Sequence, residues 1–130
     1  MLQAYNSKYT LQDYLYEFLE NIGVHNKKRE ELASRTGYSD VHIGRILRKE
    51  EKVELVHIMT FIVGLNRSPV EGIKFLDFCG FNLRIFEMCD RNSYYYELLT
   101  NIELRPDIFE ANEYLKIHGC QQLGGQSVQV

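Results

Sequence analysis

Glu31-Leu32-Ala33-Ser34-Arg35-Thr36-Gly37-Tyr38-Ser39-Asp40-Val41-His42-Ile43-Gly44-Arg45-Ile46-Leu47-Arg48 is the stretch that decides the fold. Leu32 and Ala33 form the inner face of a short helix, about Lys27–Thr36, with Asn26 as its cap. Gly37 follows, a residue that readily takes the left-handed conformation a sharp exit needs. Tyr38 plugs the turn, and Ser39 caps a second helix, about Asp40–Lys49, that carries Ile43, Ile46 and Leu47 on one face. Ala33 is small, so the two helices can cross closely. The sum is a helix-turn-helix layout.

The opposite face of the second helix follows from its pitch. At about 100° per residue, Val41, Arg45, Arg48 and Lys49 project away from Ile43, Ile46 and Leu47. Three cations and one small apolar group suit a helix lying in the major groove of DNA, which is wide enough to admit it. In that docking mode the N-terminal residues of the helix meet base edges.

Working outward, every other segment also reads as helix. Thr10-Leu11-Gln12-Asp13 is a capping-box-like start, followed at helical spacing by Leu11, Tyr14, Leu15, Phe18, Leu19 and Ile22, with a stop at Gly23. Val53–Leu65 is apolar almost all round and is expected to be the central helix. Ser68-Pro69-Val70-Glu71 joins a capping box to Pro at the first helical position, and its helix runs to about Cys79 before Gly80. Asp90–Ile102 reads as a further helix, preceded by a weaker stretch from Leu83, and Pro106 opens a last one to His118, ended by Gly119. From Cys120 the chain, with Gly124-Gly125-Gln126-Ser127, is expected to be mobile.

Residues about 10–66 resemble the Cro/phage-repressor-like helix-turn-helix family. The motif L-A-x-x-T-G-hydrophobic-S-x-x-x-I-x-R-I is matched at Leu32, Ala33, Thr36, Gly37, Tyr38, Ser39, Ile43, Arg45 and Ile46. Residues 67–124 are similar to the helical extension of certain Firmicutes-type regulators of that family, on Asn112, Leu115, Leu123 and Gly124. The resemblance implies an all-α fold: a five-helix DNA-binding domain over 1–66, two or three helices packed on it over 67–119, and a tail over 120–130. It implies that Ser39, Asp40, Val41 and Arg45 face bases, with His42 beside them. Lys27, Lys28, Arg35, Arg48 and Lys49 are then candidates for phosphate contacts, which hold register without specifying sequence. The chain departs from the family at Lys49-Glu50-Glu51-Lys52, where a G-x-R-x-P loop is common, and at Asp40, where Arg, Gln or Ser is common.

Composition bounds the partners. The 130 residues carry a net charge of −3, but residues 26–52 hold eight Lys/Arg against five Asp/Glu, or +3, leaving −6 on the other 103. Local charge governs encounter with a polyanion, so a basic island on an acidic body keeps double-stranded DNA in play. The longest apolar-rich run, Val53–Leu65, is too short and too polar to span a membrane, and Met1–Tyr9 lacks the pattern of a signal peptide. Cys79, Cys89 and Cys120 form an odd, widely spaced set without a C-x-x-C pair, which reads as free thiols in a cytoplasmic, reducing setting, the first two as core thiols. His25, His57 and His118 have no Cys or acid at metal-ligand spacing nearby, and no nucleophile-base set or phosphate-cradling Gly loop is present. The expectation is no metal, no cofactor and no catalysis.

Two readings remain open for the outward face and for the second half. The face is either a DNA-reading surface or a solvated helix surface. Tyr94, Tyr95 and Tyr96 cover about 300° of a helix, so at least one lies near the surface unless covered; a homodimer interface and packing within the monomer both account for them. The leading function is a DNA-binding transcriptional regulator. Its rival is a helical adaptor that keeps the same scaffold and binds protein through the C-terminal half, which Asp40, Glu50-Glu51 and the tyrosines favour.

Overall fold

The computed structural model describes residues 9–125 and is all-helical, with seven α-helices and no strand among them. The helices are α1 (Leu11–Asn21), α2 (Lys28–Thr36), α3 (Asp40–Leu47), α4 (Leu55–Gly64), α5 (Pro69–Phe78), α6 (Asn92–Thr100) and α7 (Ile108–Ile117). Short 3-10 turns at Leu83–Glu87 and Ile102–Leu104 flank α6. Among the described residues no helix is long and apolar enough to cross a membrane.

The starts of the helices follow local chemistry. Thr10 and Ser68 each close a capping box, with Asp13 and Glu71 as the reciprocal partners, and Pro69 opens α5. Two expected caps differ. Asn26 does not cap α2; Lys27 occupies that position with φ +56° and no side-chain bond to the helix. At the last helix Asp107 accepts from the Glu110 N–H at 2.8 Å, so α7 begins at Ile108, after Pro106. The helix α3 also stops earlier than its periodicity predicts, because Lys49 turns to φ +58°.

The core is built round α4, where Val56 to Val63 are all buried. This helix packs against α2, α5, α6 and α7. Against α2 it comes close enough that a Cβ on Gly64 would sit 2.6 Å from the Arg35 carbonyl oxygen, so glycine is required there. From the other side Tyr14 of α1 stacks on Phe75 and Phe78 of α5, at centroid distances of 4.8 and 4.9 Å. One apolar cluster runs from Leu11 to Leu123, so both halves of the chain share a single core.

The segment 120–125 corrects the expectation of a mobile tail. Cys120 and Leu123 are buried, and the Asn112 side chain pairs with both backbone groups of Leu123, donating to its carbonyl at 3.0 Å and accepting its N–H at 2.6 Å. The Gly124 N–H then donates to Thr60 Oγ1 at 3.1 Å, and Gly125 lies directly on the Gly37 carbonyl, where a Cβ would approach to 2.1 Å. A short polar and glycine-rich stretch is thus a strap from α7 back to the turn between α2 and α3. The expected Gln126–Val130 part of the tail lies outside the described residues.

Arg105 is the largest fully buried side chain. It donates from Nε to the Leu98 carbonyl at 2.6 Å and from Nη2 to the Leu99 carbonyl at 3.2 Å, so it satisfies acceptors that the end of α6 leaves over. Its Nη1 is buried without a hydrogen-bond partner among the described residues, and burial pulls the guanidinium pKa down.

Candidate nucleic-acid interface

The turn between α2 and α3 is held from inside. Gly37 adopts φ +79° and donates its N–H to the Ala33 carbonyl, ending α2. Thr36 is buried, donates to the Leu32 carbonyl at 2.7 Å and accepts the Tyr38 N–H at 3.3 Å. Tyr38 fills the turn as its spacing predicts: it is buried, and its hydroxyl donates to Thr60 Oγ1 at 3.2 Å. Burial pushes its pKa up to about 12. Thr60 donates in turn to the Val56 carbonyl at 2.7 Å. Its one hydroxyl therefore serves the turn, the strap and α4 together, with its donor and both acceptor positions occupied.

On this support α3 is fixed in rotation. Ile43, Ile46 and Leu47 are buried, while Asp40, Val41, Arg45, Arg48 and Lys49 are exposed, and Val41 keeps 61% of its surface in solvent. Ser39 is exposed and caps the helix by accepting the His42 N–H at 3.0 Å. His42 turns back toward the body, half-buried, its ring 4.6 Å from that of Tyr38.

The cations of this region fall into two groups. Lys28 is held by Glu20 at 2.7 Å, Arg35 by Glu31 at 2.7 Å and Arg48 by Glu50 at 2.7 Å. Lys28 is also half-buried beside the Tyr16 ring, so its ammonium is already committed on two sides. Arg45, Lys49 and Lys27 are exposed and have no ion-pair partner among the described residues. The carboxylate of Glu50 faces Arg48 from one residue beyond Lys49, and each raises the ionisation preference of the other: the guanidinium pKa goes up and the carboxyl pKa goes down, first through their hydrogen bond.

Sequence reading missed Arg29. Its guanidinium meets Asp40 in a bidentate pair, Nε to Oδ1 at 3.0 Å and Nη2 to Oδ2 at 2.9 Å. The Asp40 carboxylate at the head of α3 is thereby covered by a cation from α2. Arg29 and Arg48 both reach over Gly44, whose absent Cβ would lie 3.0 and 2.9 Å from their nearest Nη1 atoms. A larger residue at 44 would push the two guanidinium groups off the helix. The only sequence signal for the pair is opposite charge at a separation of eleven residues, which periodicity does not pick out.

The tyrosine triplet divides three ways. Tyr95 is 6% exposed and donates to the Gln121 carbonyl at 2.5 Å, so it belongs to the core and the strap and not to an outer interface. Tyr94 is half-buried, its ring stacked 4.1 Å from His118. Tyr96 is 43% exposed, edge-on to Phe86. Among the cysteines, Cys89 is exposed and so is not the core thiol expected, Cys79 is half-buried with its pKa pushed up to about 12 by burial, and Cys120 is buried.

Compared with known proteins, the chain matches no family model, no curated protein and no solved structure.

Proposed function

We propose that the protein is a DNA-binding transcriptional regulator of Cro/repressor-like helix-turn-helix architecture, reading the major groove with α3 and acting without catalysis or cofactor. The observation that carries this reading is the unpaired, outward Arg45 between exposed Val41 and Lys49 on a helix whose other face is locked into the core. The Arg29–Asp40 pair also supports it, because it removes the repulsion that a bare carboxylate would offer to phosphate at the head of α3. In this reading Ser39, Val41 and Arg45 face bases. Lys27 and Lys49 face phosphates, while Lys28, Arg29, Arg35 and Arg48 are committed to Glu20, Asp40, Glu31 and Glu50.

The test is fluorescence anisotropy with a random pool of duplex DNA at two salt concentrations. Binding is expected to weaken steeply with salt. Lys49→Ala neutralises one phosphate fewer, so the logarithmic salt slope is expected to fall by about 0.9. Arg45→Ala is expected to reduce discrimination among sequences selected from the pool. A folded, helical protein that binds no DNA even at low salt overturns the proposal.

The adaptor reading has its own support. Met88, Ile102, Phe109 and Ile117 are all exposed on the C-terminal half, Ile117 by 78%. That half would carry the homodimer contact or protein partner in either case.

A further inference from the structure

Between α3 and α4, partly covered, three side chains from different elements meet. His42 of α3 and His57 of α4 both point Nε2 at one oxygen of Glu51, in the connection between the helices, at 3.2 and 3.5 Å. The two rings stand edge to face with centroids 5.9 Å apart. Such a trio lies close enough for an ion, but the hydrogen bonds assign its protons. His57 Nδ1 accepts the Glu54 N–H at 2.9 Å, so that nitrogen carries no hydrogen. The neutral ring therefore holds its proton on Nε2, directed at the carboxylate oxygen, and has no lone pair left there for a metal.

We infer that His57 is a proton-operated latch on the first turn of α4, closed when its ring is neutral and opened when Nδ1 takes a second proton. The atoms dictate the outcome. The only site for that proton is the lone pair that accepts the Glu54 N–H, and after protonation two donors would face each other across 2.9 Å. The capping bond must then break. What loosens is limited: Val56 to Val63 stay fixed by burial, so the change falls on Leu55 at the head of α4 and on residues 48–54, which lead to it from α3. This inference stands whether or not α3 reads DNA.

The surroundings set the direction of the response. The titratable groups facing the ring are Tyr38 from the turn, His42 from α3, Glu51 from the connection and Glu54 at the cap. Burial holds the imidazole below its ordinary range; Glu51 and Glu54 oppose this, and His42 adds to it. A base whose folded pKa lies below its unfolded value binds its proton preferentially in the opened state. The latch is therefore fully closed above the unfolded imidazole value, about 6.5, and weakens as pH falls below it.

The experiment is amide exchange at Glu54, followed by NMR on the whole chain from about pH 7.5 to about pH 5, with rates corrected for the intrinsic effect of pH. Between the unfolded imidazole value, about 6.5, and the lower pKa of the folded ring, corrected exchange should rise by up to about tenfold per unit, levelling off at lower pH. His57→Gln retains a capping-box acceptor that does not titrate here, and its corrected exchange should stay flat. Two further variants leave His57 in place and carry opposite signs: His42→Gln should move the onset to higher pH, and Glu51→Gln to lower pH. A flat wild-type profile, an unchanged profile in His57→Gln, or shifts of the same sign in the two flanking variants would overturn the inference. So would stoichiometric Zn2+ binding at neutral pH that His42→Gln abolishes.

Discussion

Replacing Thr60 by Val keeps the shape of the side chain and deletes only its hydroxyl chemistry. The Tyr38 hydroxyl is then buried without an acceptor, at a cost of about 1–3 kcal/mol. The Gly124 N–H also loses its partner; being half-buried it can recover part of the loss from water, so its share is about 0.5–1.5 kcal/mol. Against these stands the gain from burying a methyl in place of a hydroxyl, about 0.8 kcal/mol. The net expectation is a loss of about 2 kcal/mol, read from urea unfolding with an unchanged m value. Thr60→Ser is the counter-variant. It keeps all three hydrogen bonds and gives up one methyl, for about 1 kcal/mol. The sharper readout is the double change Tyr38→Phe with Thr60→Val, which removes donor and acceptor together. It should cost less than the two single changes summed, with a coupling of about 1 kcal/mol. If Thr60→Val is no worse than Thr60→Ser, or if the two single changes add without coupling, the hydroxyl is not the junction described.

Two further outcomes follow from buried groups. Arg105→Ala leaves the Leu98 and Leu99 carbonyls unserved and opens a cavity, so a loss of about 3 kcal/mol is expected in the same unfolding assay, whereas Arg105→Met refills the volume and should recover roughly half. Thiol labelling of the native protein should modify Cys89 rapidly, with Cys79 and Cys120 reacting only after denaturant is added, as followed by mass spectrometry.

What is legible in the sequence is local. Thr10, Ser39 and Ser68 cap helices because each bonds an amide three residues on, and Gly37 ends α2 because of its own φ. The outward set Val41, Arg45, Arg48 and Lys49 follows from helical pitch alone. Contacts between distant residues are not legible. Asp40 reads as a liability until Arg29 is seen upon it, and His57 reads as isolated because Glu51 and His42 reach it through the bend of the chain. Nor does pitch decide which cations stay free: Lys28 and Lys27 are neighbours in sequence, yet among the described residues only the first meets a carboxylate. Cys120–Gly125 misleads for a related reason. Glycine and glutamine signal mobility by composition, and the strap is ordered by partners at positions 37, 60 and 112.

That strap also orders events during synthesis. Gly124 leaves the ribosome 64 residues after Thr60, the residue it closes upon. The turn that orients α3 is therefore made early and sealed late, and closing so long a loop carries an entropic cost that only the finished contact offsets. A chain stalled or cleaved before Leu123 would hold nearly every helix and still lack the piece that fastens Thr60 and covers Gly37. Emergence of residues 123–125 and completion of the α2–α3 unit thus become one event.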